Sequence, residues 1–355
     1  MENTSLDIIV TAYNSADHLD ECLRSVAQQT HESFQVLVID NASQDSTAEI
    51  GRQWAERDAR FRFHRNEKNL GHTHSANRAY GMLSGEYVLQ LHADDLLKPD
   101  FIQKVLVEGL ALHPGCAYAY SLFSRYIDGV ETGDVGQFRP DLSTGVHQLI
   151  DYLCFTNWII QSFAIFRRSH FNKVGGFERH IERFRSDDAV APRGGFLDHY
   201  MWIRLATVGP AYVVNEALGL YRVHDASLRK TASGQKRLIQ EAIRTYDYIY
   251  DDHDLFDDVT RYAVKVNQVG RLLTNNGLVK TAVDMVNSFE TGPEIAPIRK
   301  TFLSAVYHGL NKYIFDSNEH YNRFMLETPA NLASLRSILA TLPADPEKLV
   351  SNYRR

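Results

Sequence analysis

The 355-residue chain is 23% charged and 44% hydrophobic, with a formal net charge of −6, the make-up of an ordinary soluble globular protein long enough for two domains. That charge offers no footprint for nucleic acid, and no apolar run reaches the roughly 18 residues that a membrane span requires. The three cysteines, Cys22, Cys116 and Cys154, lack CxxC spacing, and the opening MENTSLDIIV lacks the basic and apolar regions of a secretory signal, so reduced thiols in a cytoplasmic setting are expected, with peripheral contact at the inner face of a membrane left open.

In chain order, LDIIV (6–10) is a short apolar run, and NSADHLDECLRSVAQQ then sets Leu19, Cys22, Leu23 and Val26 at helical spacing behind Asn14 and Ser15. FQVLVID (34–40) reads as a second strand, and the Ser/Asp/Thr cluster after it opens a helix carrying Ile50 and Trp54. FRFH (61–64) is a third strand, HTHSANRAYGML a helix, YVLQL a fourth strand, KPDFIQKVLVEGLAL a helix with Pro99 in its first turn, and CAYAYSLFSRYI a fifth strand. This β-α-β-α order predicts an α/β fold, a mainly parallel sheet flanked by helices. From 130 to about 230 the chain reads as loops separated by short apolar segments, and from 235 onward as helices. The expected division is therefore 1–234 and a helical domain at 235–355.

In a parallel sheet, ligands bind beyond the carboxyl ends of the strands. Polar residues gather there: Thr11, Tyr13 and Asn14 after the first strand, Asp40 and Asn41 after the second, and His92, Asp94 and Asp95 after the fourth. Adjacent carboxylates raise one another's pKa unless a cation stands against them, so His92-Ala93-Asp94-Asp95 poses the question of what neutralises it.

The stretches DIIVTAYNSADHLDECLRSVAQQTHESFQVLVIDNASQDST and NEKNLGHTHSANRAYGMLSGEYVLQLHADD, followed by VGGF, LDHYMWIRLATVG and YRVH, resemble in order and spacing the inverting family-2 glycosyltransferases. The resemblance covers roughly residues 5–230 and leaves the C-terminal third outside. It implies the GT-A fold, a Rossmann-like nucleotide-binding domain, and transfer of a sugar from a nucleotide diphosphate donor, most simply a UDP-sugar, to a glycan or lipid-linked acceptor in surface polysaccharide synthesis. It places Thr11 and Tyr13 around the nucleobase and Asp40 on the imide N–H of uracil or thymine. Asn69 and Gly71 fall beneath the diphosphate and sugar, beside Asn77; His72 and His74 are read equally as phosphate donors or plain surface residues. Gly176, in Gly175-Gly176-Phe177, marks a turn near the donor sugar. Asp94 is expected to ligate Mn2+ or Mg2+, and His92 stands where the family usually has a first aspartate, near ribose and metal. His224 corresponds to a further metal or pyrophosphate contact. Asp198 matches the second acid of the family's pair and is the expected catalytic base, with Leu197 replacing the first acid and His199 following. Asn41 likewise replaces a second aspartate.

Each residue also has a plain alternative: a helix cap for Asn14, Asp40 or Asp198, an ordinary turn for the glycines, and core packing for Trp158. Replacement of acids at His92 and Leu197 raises a second reading, a catalytically silent partner module on the same fold, against which the retained Asp40, Asp94 and Asp198 argue. A nucleotidyltransferase would want a Gly-rich, basic loop after the first strand, which TAYNSADH is not. The C-terminal helices suit docking or formation of a homo-oligomer.

Overall fold

The computed structural model describes residues 5–135, 142–153, 157–183 and 197–223. The expected helical domain at 235–355 and His224 lie outside the described residues.

The first half alternates as expected: β1 (Leu6–Ala12), α1 (Ala16–Ala27), β2 (Phe34–Asp40), α2 (Thr47–Arg57), β3 (Phe61–Arg65), α3 (His72–Gly81) and β4 (Tyr87–His92). All seven residues of β1 are buried, as befits a strand covered on both faces, which reads as one apolar run rather than an alternation. Helix α1 turns Leu19, Cys22, Leu23 and Val26 inward. Its first turn is capped from a distance: the Ala16 N–H donates to Asp45 Oδ2 (3.1 Å), while Ser15 makes no cap bond of its own.

The second half runs β5 (Leu96–Leu97), β6 (Tyr118–Ile127), β7 (Val130–Val135), β8 (Gly145–His147), α4 (Ile150–Leu153), β9 (Ala164–Arg167), α5 (Arg168–Lys173), α6 (Gly176–Arg183), α7 (Leu197–Ala206) and β10 (Ala211–Arg222). Among the described residues one ten-stranded sheet holds the strands, eight of them in the order β3-β2-β1-β4-β9-β6-β10-β5, with β7 paired to β6 and β8 to β10 off that path. The block β3-β2-β1-β4 is parallel, as is β6 with β10. Strand β9 runs antiparallel between β4 and β6 and joins the two parts.

Three features depart from the expected elements. The regular helix expected after Pro99 contains a π-helical turn at Gln103–Val107, followed by a 3-10 turn at Leu110–Leu112. The buried apolar residues there, Phe101, Ile102, Val105, Leu106 and Leu110, keep ordinary α-helical spacing, so nothing in the apolar pattern signals the wider turn. Second, Asp128-Gly129, both at positive φ (50° and 82°), closes a tight hairpin between β6 and β7, a turn for which Asp-Gly is well suited. Third, the stretch expected to be loops contains β10, whose pairing with β6 shifts register between Val214 and Gly219. The bulge erases the period-2 alternation by which a strand is recognised. At Gly219 an added Cβ would stand 2.2 Å from the Phe163 ring, so only glycine lets the strand pass.

Candidate active site

The register brings the expected polar residues to one edge: Thr11 pairs with His92, Ala12 with Asp40, and Asp40 with Arg65. At the nucleobase end, Tyr13 is 47% exposed while Thr11 and Asp40 are buried. Asn14 sits at φ 48°, a left-handed conformation that asparagine tolerates, and its Oδ1 accepts the Gln44 N–H at 2.9 Å. Asp40 is less accessible than the sequence implies. Its Oδ1 accepts the Ser43 N–H (3.1 Å), whereas the buried Oδ2 has no hydrogen-bond partner and lies 3.4 Å from Arg65 Nε. A buried acceptor left in this state carries a desolvation cost.

Asn41, the replacement for a second aspartate, holds the loop that follows β3. Its Oδ1 accepts from Asn66 Nδ2 (3.1 Å) and the Leu70 N–H (2.9 Å), and its Nδ2 donates to Asn69 Oδ1 (2.7 Å). Asn69 Oδ1 also accepts the Gly71 N–H at 2.8 Å. A carboxylate could not supply the amide donor. This explains Asn41 and gives Asn69 a local role in shaping the turn into α3.

His72 and His74 part company: His74 is exposed, and His72 turns inward. Gln161 Nε2 donates to Gln90 Oε1 (2.7 Å), and Gln90 Nε2 faces His72 Nε2 at 2.8 Å. Nε2 is therefore an acceptor, and Nδ1 carries its hydrogen toward Thr11 Oγ1 at 3.2 Å. Burial, with the nearby His92 second, lowers the His72 pKa to about 3. The residue is thus a neutral link beneath the strand ends. Together with Thr73, Gln90, Gln161, Phe171, Phe177 and Met201 it lines a small pocket.

The turn after β4 divides its acids. Asp95 is buried and points into the protein, accepting from Ser162 Oγ (2.6 Å) and the Arg222 N–H (3.1 Å), with His92 Nδ1 at 3.7 Å. Burial, and then the charge of Asp94, push its pKa up to about 7. Asp94 and His92 are only half-buried. One ligand atom from each of His92, Asp94 and Asp95 lies within 4.8 Å of the others. One nitrogen and two oxygens at that spacing, with a carboxyl whose ionisation is opposed by burial and a like charge, fit a divalent cation.

Arg222, at the end of β10, braces this turn from behind. Its Nε donates to the Asp94 carbonyl (2.8 Å) and its Nη2 to Glu21 Oε2 (2.5 Å), and its guanidinium lies 4.8 Å from the centre of the Tyr126 ring. Tyr126 donates to Glu21 Oε1 at 2.8 Å. Burial favours the neutral Glu21 carboxyl, but the hydrogen bonds from Tyr126 and Arg222 outweigh it and hold the pKa below the ordinary value. Sequence reasoning missed Arg222; the signal was its place in YRVH, two residues before His224.

Asp198 lies in the first turn of α7, half-buried. Its Oδ1 accepts the His199 N–H (2.8 Å) and its Oδ2 accepts from Asn157 Nδ2 (3.0 Å). The capping alternative is therefore partly realised by the first bond. His199 is buried, with Nε2 on the Leu153 carbonyl at 2.5 Å. Gly175 and Gly176 take φ values of 83° and 55°, and the Gly176 carbonyl accepts from Arg204 Nη2 (3.0 Å) on α7. Trp158 is a core residue whose Nε1 donates to Tyr120 (3.1 Å).

Comparisons with known proteins agree with this architecture. The family described as Glycosyl transferase family 2 matches residues 7–175. An uncharacterized glycosyltransferase of Haemophilus influenzae is 24% identical over 92% of this chain and 93% of its own length. The chondroitin synthase of Pasteurella multocida is 26% identical over 72% of this chain, which spans 25% of that protein. Among solved structures, S. aureus TarS 1–349 in complex with UDP-GlcNAc gives a TM-score of 0.56 at 15% identity, covering 92% of both chains. The mannosyltransferase PcManGT of Pyrobaculum calidifontis, in complex with GDP-Man and Mn2+, gives 0.53 at 15% identity over 91% of this chain and 86% of its own. These last two carry the fold. Among the described residues no helix is long and apolar enough to cross a membrane. Residues 7–175 thus form a domain that matches glycosyl transferase family 2, within a GT-A-like fold.

Proposed function

We propose that the enzyme transfers a sugar from a nucleotide diphosphate donor, a UDP-sugar in first place, to a glycan or lipid-linked acceptor in polysaccharide synthesis, with inversion at the anomeric carbon. The observation that carries this reading is the joint presence of the His92/Asp94/Asp95 cluster at the end of β4 and the hydrogen-bonded Asp198 carboxylate on α7. The sequence relation to a chondroitin synthase over most of this chain supports the acceptor class.

In the reaction the acceptor hydroxyl oxygen attacks the anomeric carbon, and the bond from that carbon to the β-phosphate oxygen breaks, its electron pair leaving with the diphosphate. Asp198 takes the hydroxyl proton on a carboxylate oxygen. The Asn157 amide and the His199 N–H hold that carboxylate in place. His92 and Asp94 would hold a divalent cation that neutralises the departing diphosphate as a Lewis acid. With an imidazole in place of a carboxylate, the set favours Mn2+ over Mg2+. Asp95 and Arg222 keep the turn in shape. Asp40 Oδ2, which lies 3.4 Å from Arg65 Nε but has no hydrogen-bond partner, is a natural acceptor for the imide N–H of uracil, with Thr11 and the exposed Tyr13 beside it. Asn69 and Gly176 would flank the diphosphate and donor sugar.

The test is thermal unfolding of the full chain with UDP, GDP and ADP, each with and without Mn2+. UDP with Mn2+ should raise the melting temperature most, and Asp94→Asn should abolish the metal-dependent part without lowering the melting temperature of the free protein. A larger shift with GDP would remove uracil recognition by Asp40, and an intact metal response in Asp94→Asn would remove the proposed cation site.

A further inference from the structure

We propose that Asn157 is the positioning residue for Asp198, an inference that rests on the reading of Asp198 as the base. The orientation of the Asn157 side chain is settled by its other end. Asn157 Oδ1 accepts the Ile159 N–H at 3.0 Å, and a backbone N–H can only donate. The amide nitrogen is therefore the atom that faces Asp198 Oδ2, at 3.0 Å. The reversed amide would leave an N–H against an N–H at one end and an oxygen against a carboxylate at the other.

The platform beneath Asn157 is rigid. Trp158 is buried and bonded to Tyr120, and the Ile159 carbonyl accepts from Trp202 Nε1 (3.1 Å) on α7, the helix that carries Asp198. Asn157 and Asp198 are thus tied together twice, once directly and once through the segment and the helix on which they sit. On its far oxygen the carboxylate accepts the His199 N–H (2.8 Å). Rotation about the Cβ–Cγ bond would break both hydrogen bonds. Asn157 offers Asp198 a donor and no acceptor, which suits a carboxylate oxygen. Along the chain the two residues are 41 positions apart, which is why neither motif reading nor local pattern pairs them.

The experiment compares the wild type, Asn157→Ala, Asp198→Ala and the double variant as full chains. UDP release from UDP-GlcNAc with Mn2+ and thermal unfolding are measured on all four. Asn157→Ala should lower kcat by about 10- to 100-fold, the usual cost of a misplaced catalytic group, with the donor KM within about two-fold of wild type. In the Asp198→Ala background it should lower kcat no further, because its effect passes through that carboxylate. The melting-temperature shifts of the two single variants should likewise sum to more than that of the double variant. Additive melting-temperature shifts, a further loss of kcat in the Asp198→Ala background, or a changed KM with kcat intact would each overturn the proposal. Wild-type turnover by Asp198→Ala would instead overturn the base itself, and the positioning role with it. If UDP-GlcNAc is not turned over, the unfolding cycle decides alone, since it needs no substrate.

Discussion

Two perturbed groups at the turn after β4, Asp95 and His72, oppose each other in pH, and the signs can be worked out. Asp95 has a pKa raised from 3.8 to about 7, burial being the first cause and the Asp94 charge the second. Between those values the native state binds a proton that the unfolded state has lost, so this carboxyl makes stability fall as pH rises. His72 has a pKa lowered from 6.5 to about 3, chiefly by burial. Between those values the unfolded state binds the extra proton, so His72 makes stability rise with pH. Each slope approaches about 1.4 kcal/mol per pH unit. From about pH 4 to 6.5 the two should nearly cancel in metal-free protein. Asp95→Asn removes one of them, and chemical denaturation with chelator present should then show stability rising with pH across that window. A flat profile for the variant would mean that the His72 ring titrates normally. Asn41 makes a second residue-scale case. Asn41→Asp forfeits the amide donor to Asn69 and should cost about 1 kcal/mol in the same assay, while leaving the two acceptor bonds in place.

At the scale of elements, β10 braces the turn after β4. Its final residue reaches the Asp94 carbonyl, Asp95 and Glu21, and its register is held by the bulge and the Gly219–Phe163 approach. Arg222→Met keeps an apolar stem but drops the bonds to the Asp94 carbonyl and Glu21. Calorimetry should then show weaker Mn2+-dependent UDP binding, by about 10-fold as for other residues that support a metal ligand, with metal-free UDP binding unchanged. Equal loss with and without metal would mean that Arg222 serves the fold at large. This strand was also where the sequence was least legible. Strands β1, β2 and β4 announce themselves as apolar runs between turn signals, and their polar ends marked Thr11, Asp40 and the His92–Asp95 turn correctly as one edge. Strand β10 carries exposed Asn215 and Glu216 and a register shift in mid-strand, so period-2 alternation fails there. Asp-Gly at 128–129 is a readable hairpin signal, but the loop-rich composition after 130 hides the strand that follows it.

At the scale of the whole molecule, what the sequence could not reveal is long-range pairing. Adjacent Asp94 and Asp95 look alike in the chain; their different fates depend on Ser162 and Arg222, 67 and 127 residues beyond Asp95. Asp198 is singled out only by its resemblance to the second acid of the family's pair, whereas Asn157 acquires meaning only when folding sets it against that carboxylate. The glycosyltransferase assignment rests on the domain matched by residues 7–175 and on the strand-end geometry. The mechanism adds one claim to it: a single displacement, assisted by a cation at His92 and Asp94, in which Asp198 removes the acceptor proton. The most direct test is release of UDP from UDP-GlcNAc with Mn2+ by the wild type and by Asp198→Asn, with the anomeric configuration of the first-formed sugar followed by NMR. The account predicts a rate ~10²–10⁴-fold lower in the variant, unchanged affinity for UDP, and a product of opposite configuration to the donor. Near-normal turnover by Asp198→Asn, or a product of retained configuration, would contradict it.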